Sequence, residues 1–399
     1  MPATSYKGDP LDNLTHALVG ASIGRSGARR TTPLATATLI LAANIPDVDM
    51  ASYLGGPYFA LATRRGITHG VPALVLLAFT VTGIVLGWDR WVRRRRSPSA
   101  DPARPGMLLL WAAVGVATHP LLDWMNTYGI RFGLPFDGTW RYGDALFIID
   151  PWLWLILGGA VFLAPGADAG PAGRRGGLAW GALATLTSAL ILVAPVHWGV
   201  KLGWMAGLGT LAAARHRGIP RSPAAGERTA RMLVATAATY VFLMVAARDL
   251  ARAHVHQAAR ADDVFAMDIL VSPSPGNPLI SDVEVFTGES YVPGVHDWMA
   301  DDRVEFFPDR SVPLLSGPPE MGQHDLRRIE QAAYGNPDVQ YYLVWARYPY
   351  TVVERESQRW KVTVRDARYD DRAEAGSLGG VVTYLDEELR LTQVGPGRS

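Results

Sequence analysis

The chain has 399 residues and a formal net charge of +1, which excludes the strongly basic footprint of a nucleic-acid binder. It has no cysteine, so disulfide frameworks, thiolate metal sites and cysteine nucleophiles are excluded as well. The hydrophobic share of 49% is ordinary, but it averages a very apolar first two thirds with a polar last third.

Met1 to Pro10 is polar, and the apolar run that follows carries His16, so the start of the chain does not read as a cleaved signal. Crossing a hydrocarbon core of about 30 Å takes roughly 20 helical residues, so Leu11 to Arg25 and Pro33 to Ile45, at about 15 and 13, are short apolar segments. Gly70 to Trp88 is the clearest membrane helix, with no charge along its length. Met107 to Leu122, Leu146 to Ala164, Leu178 to Val196, Trp198 to Ala214 and Met232 to Ala247 follow, giving six expected spans.

Arginines cluster at Arg25, Arg29 and Arg30, at Arg90 and Arg93 to Arg96, at Arg174 and Arg175, and from Arg215 to Arg231. The positive-inside rule puts these loops in the cytoplasm. His16, Asp47, Asp49, His69, His119 and Asp123 then converge on the opposite face, where Arg64 and Arg65 run against the rule. The expected fold is a multi-pass α-helical membrane domain over 1–252, followed by an extramembrane, soluble α+β domain over 253–399. In the latter, Val264 to Val271, Val283 to Phe286, Arg303 to Phe307, Tyr341 to Arg347, Trp360 to Val364 and Gly380 to Leu385 read as strands, and Gln323 to Tyr334 as a helix. Six spans place this domain on the same side as the candidate ligands, the outer face.

The local chemistry points to a divalent metal. In His119-Pro120-Leu121-Leu122-Asp123 the two polar side chains are four apart and share a helix face, with a bend expected at Pro120. In Asp47-Val48-Asp49 an extended segment points both carboxylates the same way, so that they bridge two ions or one binds while the other orients water. A helix-ending turn is the bland alternative there. Thr15-His16 and Thr68-His69 add imidazoles among apolar segments, where ionisable groups are costly and so are functional candidates. His197, His216, His254, His256, His296 and His324 lack this context and read as structural or solvated. Arg64, Arg65 and Arg131 are candidates for binding an anionic group such as a phosphate, or for anchoring to lipid headgroups.

Leu11-Asp12-Asn13-Leu14-Thr15-His16, Ile45-Pro46-Asp47-Val48-Asp49, Arg65-Gly66-Ile67-Thr68-His69 and Thr118-His119-Pro120-Leu121-Leu122-Asp123, with Asn126-Thr127-Tyr128-Gly129 and Asp150-Pro151, resemble the YdjM-like family of bacterial inner-membrane proteins, described as membrane-bound metal-dependent hydrolases. The order of His and Asp is more distantly similar to the zinc-dependent phospholipase C and nuclease superfamily. That similarity implies His16, Asp49, His69, His119 and Asp123 as ligands, with Asp49 bridging or acting as base. The chain lacks that superfamily's later His and second His-x-x-x-acid pair, having no His between His119 and His197, which leaves one or two ions, with Asp144 and Asp150 as spare carboxylates. Zn is the first expectation for the metal, with Mn and Fe also suited to His and carboxylate ligands. The expected reaction is metal-dependent hydrolysis, with a carboxylate such as Asp47 or Asp49 accepting the proton of water, and the location at a membrane points to an ester or phosphoester of a lipid or envelope metabolite as substrate. A non-enzymatic structural or regulatory membrane factor and a metal transporter are the other classes. Membrane lipids are the expected partners, with no nucleic acid.

Overall fold

The computed structural model describes residues 12–164, 171–372 and 379–392. The leader Met1 to Pro10 lies outside the described residues. The first two apolar segments form short helices, α1 (Asp12–Arg25) and α2 (Ala35–Ala42). Ile45–Gly55 then coils as a 3-10 turn into α3 (Pro57–Thr63). Val71–Trp88 is α4, which runs through a π turn, Asp89–Arg93, into the short α5, Arg94–Arg96. Next come α6 (Pro105–Trp124), α7 (Pro151–Leu163), α8 (Pro171–Val193), α9 (Trp198–His216) and α10 (Pro223–Ala261).

All six expected spans are helical, but three stretches among the described residues are long and apolar enough to cross a membrane: Val71–Arg96, Pro105–Trp124 and Pro223–Ala261. The difference is physical. α7 has 13 residues, and at 1.5 Å per residue it reaches only about 20 Å. α9 carries Lys201 and Arg215, and the apolar part of α8 is Gly177–Val193.

α4 turns Val75, Leu76, Phe79 and Ile84 outward and packs Ala78, Val81 and Val85 against Leu108, Ala112 and Val116 of α6. Small residues bring the helices close: Gly20 of α1 meets the backbone of Leu39 and Ile40, and Gly115 of α6 meets Ala42 and Ala43. The 39 residues of α10 extend about 58 Å, roughly twice a hydrocarbon core. The helix runs past the expected boundary at 252/253, and its last turns carry Ala251 and Val255 onto a sheet with Ile269, Val271, Val283 and Val285.

That sheet has the order β1 (Asp268–Ser274), β2 (Asn277–Phe286), β3 (Ser290–Asp297) and β4 (Val304–Phe306), with β5 (Val312–Pro313) also on β3. A second sheet starts with β6 (Leu315–Ser316), parallel to β7 (Pro349–Glu356), and continues antiparallel through β8 (Arg359–Asp366), β9 (Val381–Leu385) and β10 (Leu391–Thr392). Between β6 and β7 lie α11 (Gln323–Ala333) and α12 (Pro337–Trp345). Tyr341 to Arg347, expected as a strand, therefore falls largely in a helix. Asn336 caps it, Pro337 starts it, and Val339, Tyr342 and Trp345, three apart, all face the core.

This second layer sits over the end of the bundle where α4 begins and α6 ends. Tyr342, Trp345 and Val339 of α12 pack with Leu61 of α3 and Tyr128. Arg368 Nη1 donates to Thr127 O at 2.6 Å, Trp140 Nε1 to Val344 O at 2.7 Å, and Arg347 Nη1 pairs with Asp144 Oδ2 at 2.9 Å.

Candidate metal centre

Four segments separated in sequence deliver one side chain or more to a single buried point. Helix α6 continues through Pro120, so His119 and Asp123 lie one turn apart on the same face. The 3-10 turn at Ile67–His69 ends on His69, just before Pro72 opens α4. Asp47 comes from the turn after α2, and His16 from α1. Asp47, His69, His119 and Asp123 each offer one ligand atom, and these atoms all lie within 4.8 Å of one another. The three histidines are 0% exposed and Asp47 is 8% exposed.

Second contacts fix which ring nitrogens face inward. His119 Nδ1 is 2.6 Å from Ala43 O; a carbonyl oxygen can only accept, so Nδ1 carries the proton. His69 Nδ1 lies 2.9 Å from Thr68 Oγ1 and 3.3 Å from Asp49 Oδ2, and Thr68 Oγ1 itself donates to Asp49 Oδ2 at 3.0 Å. Its Nδ1 is thereby a donor as well. Both Nε2 atoms then present lone pairs, yet they stand 3.1 Å apart, and each is within 3.4 Å of Asp123 Oδ2. Asp47 Oδ1 closes the group at 3.9 Å from His69 Nε2 and 3.7 Å from His119 Nε2. Lone pairs of imidazole and carboxylate repel at such distances unless a metal ion or a proton is shared between them. The donor set and its tautomers fit a divalent metal.

The surrounding charges hold the group in shape. Arg65 Nη2 meets Asp123 Oδ1 at 2.9 Å, its Nη1 donates to Asn126 Oδ1 at 2.8 Å, and its guanidinium covers the Tyr128 ring at 4.7 Å. His16 Nε2 is 3.4 Å from Asp123 Oδ1, and its ring stacks on His119 with centroids 3.8 Å apart. Arg64 Nη2 is 3.4 Å from Asp47 Oδ1 and its Nε 3.8 Å from Asp49 Oδ1.

Asp47 and Asp49 do not point the same way. The segment is a 3-10 turn rather than extended, and at three residues per turn positions two apart diverge. Asp47 faces the centre, whereas Asp49 lies behind His69, accepting also from Arg65 N at 2.8 Å. Arg131 Nη2 donates to Ala62 O at 2.6 Å, and its guanidinium lies over Trp140. Of the spare carboxylates, Asp144 pairs with Arg347, and Asp150 caps α7 through Trp152 N and Leu153 N while accepting from Tyr240 Oη at 2.8 Å. Sequence reasoning had no signal for the Ala43 carbonyl, and it left Asn126 and Tyr128 without a role.

Residues 11–200, which hold every one of these ligands, match the profile of the family described as YdjM inner membrane protein. Over these residues the chain is similar to the YdjM family. The family name and the apolar helices agree on a membrane protein. The YdjM region ends just inside α9, so α10 and both sheets lie beyond the match. A curated relative, the uncharacterized protein YfhP of Bacillus subtilis (strain 168), is 24% identical over 155 residues, covering 36% of this chain and 43% of YfhP. The chain thus spans less than half the length of that relative. No solved structure matches.

Proposed function

We propose that the protein is an integral membrane metal-dependent hydrolase, acting on an ester or phosphoester of a lipid or envelope metabolite at the membrane surface. The observation that carries this reading is the 3.1 Å approach of two Nε2 atoms whose partners leave both as acceptors. Asp47, His69, His119 and Asp123 would hold the ion, Zn first, with Mn or Fe also suited to this donor set. A bound divalent ion supplies polarisation of the ester oxygen and acidification of a water. Asp47, at the edge of the group, would orient a water with the carboxylate oxygen not given to the ion. Asp49 keeps His69 in its tautomer, and His16 and Arg65 position Asp123. Arg64 and Arg131 supply positive charge for an anionic substrate. Val48 and Ile67, each adjacent to a candidate metal ligand or its support, are 55% and 65% exposed, which suits a site opening toward lipid rather than bulk water.

The arginine-rich ends at Arg29, Arg30 and Arg93 to Arg96 lie on the opposite side of the bundle from the centre, which supports a cytoplasmic location for them and an outer-face location for the sheets. A second reading is favoured by one feature. The histidines are wholly buried, and closed metal sites are commonly structural, so a non-enzymatic membrane factor holding a structural ion fits too. Ligands gathered at helix ends rather than the bilayer midplane speak against a transporter.

Elemental analysis of the detergent-purified chain beside His119→Ala and Asp123→Ala, followed by turnover of phosphomonoesters and phosphodiesters, tests both readings. Bound metal lost in the variants, together with turnover, supports the hydrolase. Bound metal without turnover shifts the assignment to the structural factor, and a native protein that stays empty after reconstitution removes the metal reading.

A further inference from the structure

Three buried hydrogen-bond donors where the centre meets the outer sheets have no acceptor among the described residues: Tyr128 Oη, Arg131 Nε and Trp345 Nε1. They belong to one aromatic cluster. The Tyr128 ring lies 5.1 Å from that of Trp345 and 6.3 Å from that of Trp140, and the Arg131 guanidinium sits 4.5 Å from the Trp140 centroid. A buried donor without a partner is costly, and native interiors rarely keep one without a reason. Here there are several together.

The same loop is tied directly to the metal ligands. Arg131 N–H donates to Arg65 O at 3.0 Å, and Asn126 Oδ1 accepts from both Tyr128 N and Arg65 Nη1. The charges of Arg64 and Arg65 both act on the Tyr128 phenol. Unmet donors beside guanidinium charge are what an oxyanion needs.

We propose that Tyr128 Oη and Arg131 Nε, with Arg64 at the edge, form a subsite that accepts a phosphate-type oxyanion beside the metal centre. The inference rests on the phosphoester reading above and names the group that would anchor the substrate. The anion could belong to free phosphate or to a phosphomonoester lipid headgroup.

Tyr128→Phe tests it, because the change removes only the hydroxyl and keeps the ring that Arg65 covers. Binding of inorganic phosphate to the full-length protein in detergent is measured by calorimetry, and binding of phosphatidic acid by comparing nanodiscs of phosphatidylcholine with and without it. Metal content and melting are recorded on the same samples. Expected is native-like metal content and melting in the variant, with binding weakened roughly tenfold or more in at least one arm. Weakening in the phosphate arm assigns a free anion; weakening confined to the nanodiscs assigns the lipid headgroup. Equal binding by variant and native protein in both arms, or no binding by the native protein, overturns the subsite. A native protein that lacks metal but still binds phosphate through Tyr128 would separate failure of the hydrolase reading from failure of the subsite.

Discussion

Gly115→Ala links helix packing to the metal centre. A Cβ on Gly115 would stand 2.7 Å from Ala42 Cβ, 3.0 Å from Leu39 O and 3.2 Å from Ala43 N. Carbon atoms in contact prefer about 3.5–4.0 Å, so α2 and α6 must separate by roughly 1 Å. None of the three neighbours can rotate away, because two are backbone atoms and the third is the Cβ of alanine. The strain falls on Ala43, whose carbonyl holds His119 Nδ1 at 2.6 Å. A shift of about 1 Å along that bond takes it past the ~3.5 Å at which a hydrogen bond is lost. The imidazole then loses the contact that fixes its tautomer and aim. Overpacking costs about 1–3 kcal/mol, and loss of such a supporting contact weakens metal affinity about 10- to 100-fold.

The assay is paired: thermal melting in detergent, and metal affinity by competition with a chromophoric chelator. Gly106→Ala is the control, since its Cβ would meet nothing within 4 Å. Gly115→Ala should lose both stability and affinity, and Gly106→Ala neither. If Gly115→Ala melts lower yet binds metal as the native protein does, the Ala43 carbonyl does not set the His119 ring, and the reasoning from packing to centre is wrong.

Other perturbations probe the rest of the arrangement. Asp49→Asn keeps the volume but removes the carboxylate behind His69 and Thr68; metal affinity by the same competition should fall about tenfold or more, and unchanged affinity would show that Asp49 does not orient the ring. Arg65→Met leaves Asp123 buried without its 2.9 Å partner, so metal-free protein should lose about 3–5 kcal/mol by denaturant titration; a loss below about 1 kcal/mol would mean that Asp123 is compensated elsewhere. Burial works to raise the Asp366 carboxyl, but the Arg368 guanidinium and the hydrogen bonds to it prevail and hold it below the usual range. A carboxyl depressed in the folded state contributes stability that is complete above its unfolded value of about 3.9 and disappears as pH falls through the folded value. Melting of the C-terminal domain should therefore decline on acidification below about pH 4, and Asp366→Asn should flatten that decline; identical acid profiles would exclude Asp366 as a source.

Much of the centre was legible because its chemistry lies in side-chain type and spacing. His119 and Asp123, four apart on one helix, needed only helical periodicity to be paired, and His69 at the foot of a charge-free helix was conspicuous for its cost. Asp49 was misplaced for a local reason. The sequence after Pro46 allows an extended or a 3-10 path, and only tertiary contact with Arg64, Arg65 and Thr68 selects the second. The carbonyl of Ala43 could not be read at all, since a backbone acceptor leaves no trace in residue type. Tyr341 to Arg347 looked like a strand because aromatic and β-branched residues favour both a pleated sheet and a buried helix face. Its cap at Asn336-Pro337 was the overlooked signal. Of the six expected spans three meet both length and apolarity, because apolar content alone does not fix helix length, and α7, whose Leu153, Trp154 and Leu157 are buried within the bundle, is apolar for packing as well.

The C-terminal domain is more than an appendage by the logic of its contacts. Asp366 holds Arg368, which donates to Thr127 O; the next residue back, Asn126, accepts from Arg65, and Arg65 pairs with Asp123 of the centre. Apart from Thr127 each member is buried, so each is costly to leave unmet, and the low dielectric that strengthens every bond also penalises any break. A polar chain of this kind is stable only when all its links close together. Docking of the sheets and the shape of the metal centre are therefore conditions on one another, although the YdjM match ends before the sheets begin. The His and Asp group lies within the matched residues, while part of its support comes from beyond them.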